Sequence, residues 1–298
     1  MGERHAAYNS SMRTTNPLML NVDLHCHSNI SDGTLTPAAL AARAKANGVQ
    51  VWALTDHDEI DGIPAARAAA AELGLAFVAG VEISVTWAGE TVHIVGLRIA
   101  ETHPQLLAGL EATRSGRELR AREISAQLAS AGIPGAYEGA LKYVGNPDLI
   151  SRTHFARYIL ELGVKDDIKS VFKHYLTDGK PGFVPHRWAT LAQAVGWIKA
   201  SGGIAVIAHP GRYKFSDLAF EEFFDEFKDL GGQAIEVLTG SHTVPQYDYY
   251  ARVAQRRGFL ASRGSDFHDP RESRIDLGKL PPMPAGLTPV WHDWEFQN

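Results

Sequence analysis

The sequence predicts an α/β protein, a (β/α) barrel interrupted by a helical insertion. Three observations carry this reading. Apolar, strand-like runs alternate with helical patterns in both the early and the late parts of the 298-residue chain. Short histidine and carboxylate motifs fall at or just past the ends of those runs, where no packing requirement asks for polar groups. Between the two parts, from about 101 to 185, strand signal lapses and helical pattern takes over. Polar groups gathered from strand after strand suit the C-terminal face of a barrel. A doubly wound open sheet collects its ligand at a single switch point instead.

Taken in order, residues 20–26 read as a buried strand. Thr36 then caps a helix, with Pro37 at its first position and Gly48 just past its end. Residues 49–55 form a second strand, an alanine-rich helix runs from Gly62 to Gly74, and 75–80 is a third strand. Residues 82–87 and 91–99 read as a hairpin around Ala88-Gly89. This β-α-β-α-β opening argues for parallel strands with crossover helices. In the insertion, 106–131 carries one long helical pattern ended by Gly132 and Pro134, and further helices are expected near 150–162 and 166–176. Alternation resumes with helix 191–200, strand 204–208, helix 218–230, strand 234–238, helix 244–257 and strand 259–262. The expected division is a disordered extension over 1–18, a barrel from 19–100 and 186–298, and a helical cap over 101–185.

Composition narrows the function classes. Hydrophobic residues make up 45% of the chain, ample for a sizeable core. The net charge of −5 argues against a surface that coats nucleic acid, so an anionic substrate has to be met by local positive charge. A single cysteine allows neither an intrachain disulfide nor a cysteine-built zinc site, and it fits a reducing cytoplasm. No early stretch is apolar enough for a membrane helix.

The polar motifs read as one metal site. They are Asp23-Leu-His25-Cys-His27, Ser31-Asp32-Gly33, Thr55-Asp56-His57-Asp58, Glu82 followed by His93, Ala208-His209-Pro210-Gly211 and Ser265-Asp266-Phe-His268. Imidazole and carboxylate ligands suit Zn, Mn or Fe. In a strand His25 and His27 share a face and can chelate one ion, with Asp23 behind them to fix a tautomer. Asp266 and His268 repeat that spacing. Glu82, at the end of the third strand, can bridge two ions. Asp32 alone would be a turn residue, and His93 alone a core histidine; the set makes both ligand candidates. Glu236, an acid in an apolar strand, is expected behind a ligand or in a buried ion pair.

Positive charge for an anion is available in several places. Arg212 follows His209 and suits phosphate oxygens. Arg114, Arg117, Arg120 and Arg122 fall on one predicted helix, where interleaved glutamates also allow a merely solvated face. Arg152 and His154 lie near a helix N-terminus, a reasonable anion site. Lys180 flanks the return to the barrel. The residues assigned to substrate are Arg152, His154, Arg117, Lys180 and Arg212. Those assigned to the chemistry are Arg212, with Asp58 and His154 as candidate leaving-group acids.

This ordered motif set resembles the PHP (polymerase and histidinol phosphatase) domain, a distorted seven-stranded (β/α) barrel among the amidohydrolase-like metallohydrolases. The resemblance covers about 20–100 and 185–270. It implies two or three divalent ions, Mn in the first place and Fe or Zn as alternatives. The implied ligands are His25, His27, Glu82 and Asp266 for the first ion, Glu82, His93 and His209 for the second, and Asp32, His57 and His268 for the third. The segments Ser151-Arg-Thr-His-Phe-Ala, Gly182-Phe-Val-Pro, Ala208-His-Pro-Gly-Arg-Tyr and Gly264-Ser-Asp-Phe-His resemble one bacterial branch more closely. That branch holds 3′,5′-nucleotide bisphosphate phosphatases and 5′→3′ exoribonucleases acting on short RNA. The expected activity is hydrolysis of the 3′-phosphate of a nucleoside 3′,5′-bisphosphate. The alternatives are the exoribonuclease and a non-catalytic, metal-stabilised binding module. A nucleotide or short RNA partner and a cytoplasmic location follow.

Overall fold

The structure, a computed structural model, describes residues 20–296, so the expectation for 1–18 lies outside the described residues. Seven strands form one sheet in sequence order: β1 (Val22–Asp23), β2 (Val51–Leu54), β3 (Ala76–Trp87), β4 (Glu90–Leu97), β5 (Ile204–Ile207), β6 (Ala234–Thr239) and β7 (Leu260–Gly264). The sheet curls until its edges meet. Leu24 N–H donates to Arg263 C=O at 3.0 Å, Asp266 N–H to His25 C=O at 2.8 Å and His27 N–H to Phe267 C=O at 2.9 Å. The result is a distorted barrel with helices around it, as the alternating pattern predicts.

Two features shape the site, the expected hairpin and one departure. First, β4 runs antiparallel to both β3 and β5, whereas the other neighbours are parallel. The cause is local: Ala88 and Gly89 both take positive φ, 47° and 81°, the tight turn that reverses a strand at once. Second, β3 is one unbroken strand of 12 residues, not two runs parted near residue 81. Its first half pairs with β2 and its second half with β4. Gly80, which weakens the strand pattern, sits at the handover. A Cβ there would lie 2.7 Å from Thr55 Cγ2 and 3.0 Å from the Gly96 carbonyl oxygen, so only glycine fits. Glu82 is therefore mid-strand rather than strand-terminal.

Helices α1 (Pro37–Ala46), α2 (Ile63–Glu72), α8 (Leu191–Ala200), α9 (Asp217–Asp229) and α10 (Val244–Arg257) surround the barrel. Thr36 caps α1 by accepting the Ala39 N–H at 3.2 Å. Between β4 and α8 lie α3 (Pro104–Arg114), α4 (Arg117–Ser130), α5 (Ala136–Leu141), α6 (Arg152–Glu161) and α7 (Ile168–Val171), the last continued by a π-helical turn, Phe172–Leu176. The single long helix expected over 106–131 is two helices. The chain turns at Gly116, where a Cβ would lie 2.5 Å from His186 Cε1. Leu106 and Leu110 of α3 pack in the barrel core, and a separate apolar core begins at Ala121 and ends at Val184. Residues from this region, Arg117, Arg120 and Arg152 among them, line one cavity together with His57 and Asp266 of the barrel. Among the described residues no helix is long and apolar enough to cross a membrane.

Candidate metal centre and the cavity above it

Strand ends and the loops after them, with Glu82 and His93 from within β3 and β4, bring six imidazoles and three carboxylates together. Glu82 is fully buried at the middle of them. Its Oε1 lies 3.3 Å from His25 Nε2, 3.0 Å from His93 Nδ1 and 2.9 Å from His209 Nε2. Its Oε2 lies 3.3 Å from His27 Nε2 and 2.9 Å from His57 Nδ1. Asp266 Oδ1 stands 3.6 Å from His25 Nε2 and 3.4 Å from His27 Nε2. To one side, Asp32 Oδ1 lies 3.3 Å from His268 Nε2 and 3.9 Å from His57 Nε2. All nine predicted ligand residues thus meet in one place, in overlapping groups whose donor atoms lie within 4.8 Å of one another.

The donor set fits divalent ions. His27 Nδ1, Asp32 Oδ1, His57 Nδ1, Glu82 Oε2 and His209 Nδ1 are buried polar atoms with no well-aligned hydrogen bond among the described residues, although His57 Nδ1 and Glu82 Oε2 face each other at 2.9 Å and Asp32 Oδ1 and His268 Nε2 at 3.3 Å. Buried polar atoms are ordinarily satisfied, so such a concentration points to ligands of another kind. Burial acts to raise the pKa of Glu82, but the neighbouring charges of His93, His57 and His25 outweigh it and hold the carboxyl well below its usual range. Asp32 and Asp266 behave likewise, burial being overcome chiefly by His268 and His25 respectively. Burial, joined by the charge of Arg212, pulls His209 down to about 3, so it stays neutral, the form in which imidazole ligates. His209 and Asp266 also hold positive φ, 28° and 54°, a conformation that residues other than glycine rarely adopt. Such strain concentrates at functional sites.

The carboxylate behind the candidate ligands is Glu236. It accepts from His25 Nδ1 at 2.8 Å and from the His209 backbone N–H at 2.6 Å, orienting both. Asp23, expected in that role, instead accepts the backbone N–H groups of Ser265 and Gly278 and pins the strand ends below the site. Asp56 binds Ser28 and Ser31 and so shapes the loop that carries Asp32. His242, given no role from the sequence, accepts the Gly211 N–H at 3.0 Å and fixes the turn after His209.

A cavity of about 470 Å³ opens over this cluster. Its floor includes Asp32, His57, His93, Asp266 and His268, and Arg117, Arg120, Arg152 and Arg212 face into it. Two substrate assignments, His154 and Lys180, and the two candidate acids, His154 and Asp58, are not met by the structure. His154 is fully buried as a capping residue, its Nδ1 accepting the Ser151 N–H at 3.0 Å, and burial holds its pKa at about 4. Lys180 is exposed and does not line the cavity. Asp58 is also fully buried; its oxygens accept from Ser84 and from Arg117, so it orients Arg117 rather than offering a proton. Arg120 and Trp188, which carried no specific substrate assignment, do line the cavity.

This placement of Asp58 makes a stability prediction. Asp58→Asn leaves Arg117 buried without its counter-charge, which should cost about 3–5 kcal/mol in urea unfolding. Wild-type stability combined with lost activity would instead return Asp58 to the chemistry.

The PHP domain family model matches residues 23–243. A 3′,5′-nucleoside bisphosphate phosphatase from Chromobacterium violaceum is 49% identical over 93% of this chain and 97% of its own length. A 5′-3′ exoribonuclease from Escherichia coli is 42% identical over 92% of this chain and 93% of its own. A solved structure of an amidohydrolase from Chromobacterium violaceum, with sulfate bound and no metal, superposes with a TM-score of 0.89 over 92% of this chain and 95% of that one, at 49% identity.

Proposed function

This chain belongs to the PHP domain family, a family of phosphoester hydrolases, and on that premise we propose that its substrate is a nucleoside 3′,5′-bisphosphate, cleaved to the 5′-monophosphate and phosphate. One observation carries the choice of substrate: a nucleotide-sized cavity whose floor is the histidine–carboxylate cluster and whose walls present five arginines, Arg117, Arg120, Arg152, Arg212 and Arg274. That wall suits a ligand carrying more than one phosphate. The relative named for this reaction supports it across nearly the whole chain.

The proposed ligands are His25, His27, Glu82 and Asp266 for one ion, Glu82, His93 and His209 for a second, and Asp32, His57 and His268 for a third. Mn is favoured, with Fe or Zn as alternatives, because the set holds imidazole and carboxylate and no thiolate. Such ions supply an acidified water, a template for the phosphate and neutralisation of developing charge. The chain's own part is to orient and select. Glu236 fixes the rings of His25 and the backbone of His209. Arg212, half exposed beside Asp266 at 3.4 Å, is free to turn toward the oxygens of the reacting phosphate. The single buried Cys26 accords with a reducing cytoplasm.

The exoribonuclease reading has its own support. A second cavity of about 630 Å³ adjoins the first and shares Ile168 and Glu272 with it, space that a following nucleotide could occupy. A non-catalytic binding module is disfavoured by a ligand set in which no position is missing. The deciding assay is Mn-loaded protein against a nucleoside bisphosphate, an oligoribonucleotide and histidinol phosphate, with phosphate and mononucleotide measured separately. Phosphate from the bisphosphate is expected; mononucleotide release alone would overturn the proposal.

A metal-lability prediction follows from the burial of the ligands. His25, His27 and Glu82 are fully buried, whereas His57 and His268 are part-exposed and Asp32 offers a carboxylate where two imidazoles face it. Elemental analysis during graded chelation should show one ion leaving before the rest. Loss of all ions together would contradict the ranking.

A further inference from the structure

The loop that carries Asp32 is held from two sides. On the barrel side, Asp56 accepts from the hydroxyls of Ser28 and Ser31, both at 2.6 Å. The Thr34 N–H donates to the His268 carbonyl at 2.9 Å and so ties this loop to the one after β7. On the other side stands the helical insertion. Arg157 of α6, only 6% exposed, donates from Nη1 to the Asp32 carbonyl at 2.8 Å. Its Nε and Nη2 donate to the two carboxylate oxygens of Glu272, at 3.1 and 3.0 Å. At the start of α6, the Ser151 hydroxyl donates to Asp32 Oδ2 at 3.4 Å.

Glu272 lies just past His268 in the loop after β7. One guanidinium therefore joins the two loops that bring Asp32 Oδ1 and His268 Nε2 to 3.3 Å from each other. An exposed ion pair would be worth little, but this one is bidentate and largely buried, and the fork is rigid. With Ser31 held by Asp56, a fixed Asp32 carbonyl leaves the chain little freedom to swing the carboxylate. Ser151 engages Oδ2, and Oδ1 is left to face His268 and His57. The insertion has its own apolar core, so a buried arginine aimed out of it at the barrel serves the junction rather than that core.

We infer that Arg157 is a positioning residue for the metal centre: through it, aided by Ser151, the insertion sets Asp32 and His268, and the position these two share with His57 is complete only with the insertion in place. The inference rests on the ligand set proposed above. It gives the insertion a part in holding metal, besides its share of the cavity wall. It concerns neither the His25–His27 pair nor the His93–His209 pair.

The test uses the full chain, stripped of metal and dialysed against graded Mn, with bound metal read by elemental analysis and thermal unfolding recorded with and without Mn. Wild type is compared with Arg157→Gln, Arg157→Lys and Asp32→Asn. Losing a group that orients a ligand costs about 10- to 100-fold in metal affinity. Both Arg157 variants should bind one ion more weakly by that factor and hold the others as wild type does. Asp32→Asn should lose the same ion, so adding Arg157→Lys to it should cost no further ion. The lysine variant keeps a charge beside Glu272 but cannot reach both partners as the fork does, and it carries the test if the glutamine variant does not fold. An arginine that merely braces the fold would lower the Tm of the metal-free chain and leave every ion's affinity unchanged; that result overturns the inference, and so does equal weakening of all ions. If Asp32→Asn loses an ion and the Arg157 variants keep it, the ligand set stands and the role of Arg157 falls. If Asp32→Asn loses none, the ligand set falls and the inference with it.

Discussion

Asp266→Asn and His209→Asn should each lower phosphate release by about a thousandfold or more, because the lost contribution, several kcal/mol of transition-state stabilisation, converts to that factor. The protein should stay folded in both cases. Asp266 and His209 occupy positive φ, where asparagine is among the better-tolerated residues, so the strained backbone is preserved. Neither side chain supports the apolar core, which is built from the strand residues beneath them. The two variants differ in what they remove. Asp266→Asn deletes the charge that faces His25 and His27 on one side and accepts from Ser241 at 2.8 Å on the other. His209→Asn deletes a neutral donor next to Glu82 while keeping the backbone N–H that Glu236 holds. Bound metal should therefore fall in both, with circular dichroism unchanged. Near-wild-type turnover at saturating metal in either variant would remove that residue from the ligand set.

How much of this was legible in the sequence depends on the range of the interaction. His25 and His27, or Asp266 and His268, announce themselves because the spacing of two is itself the geometry that joins them. Helices whose ends are set by local chemistry were also legible: Thr36-Pro37 opens α1, and α8 and α10 fall where their patterns lie. What sequence could not give was set by contacts between distant segments. Gly80 looks like a strand end, and only its approach to Leu54, Thr55 and Gly96 explains why β3 passes straight through it. Glu236 and Asp23 are both buried acids near the motifs, and only the closed barrel decides which touches a ligand. The arginines show the same limit. Arg117 and Arg120, three residues apart on α4, share the face turned to the cavity, whereas Arg122 pairs outward with Glu118 and Arg114 binds the Asp58 carbonyl. The outward i, i+4 pair was a usable signal for which side of the helix faces solvent. His154 misled because a histidine near a helix start can cap the helix as readily as bind an anion.

The largest single effect is expected from Glu82→Gln. Five histidines reach this carboxylate within 3.3 Å, and among the described residues it is the one acid that touches both the His25–His27 pair and the His93–His209 pair. Glutamine keeps the volume and can still accept from a neighbouring ring, so the packing of the barrel is retained. What it removes is the negative charge that would let the two proposed cations sit close together, and one of its two oxygens becomes an amide that donates instead. Phosphate release should fall below detection, and elemental analysis should show at least the two ions proposed to share Glu82 missing. Thermal unfolding supplies the independent check. An ion that binds only the folded chain stabilises it by about 2.7 kcal/mol at a hundred times its dissociation constant. Wild type should therefore gain Tm as Mn is added, and the variant should gain little or none. If Glu82→Gln kept both its metal content and its metal-dependent rise in Tm, Glu82 would not be the shared ligand, and the centre would have to be rebuilt around Asp266.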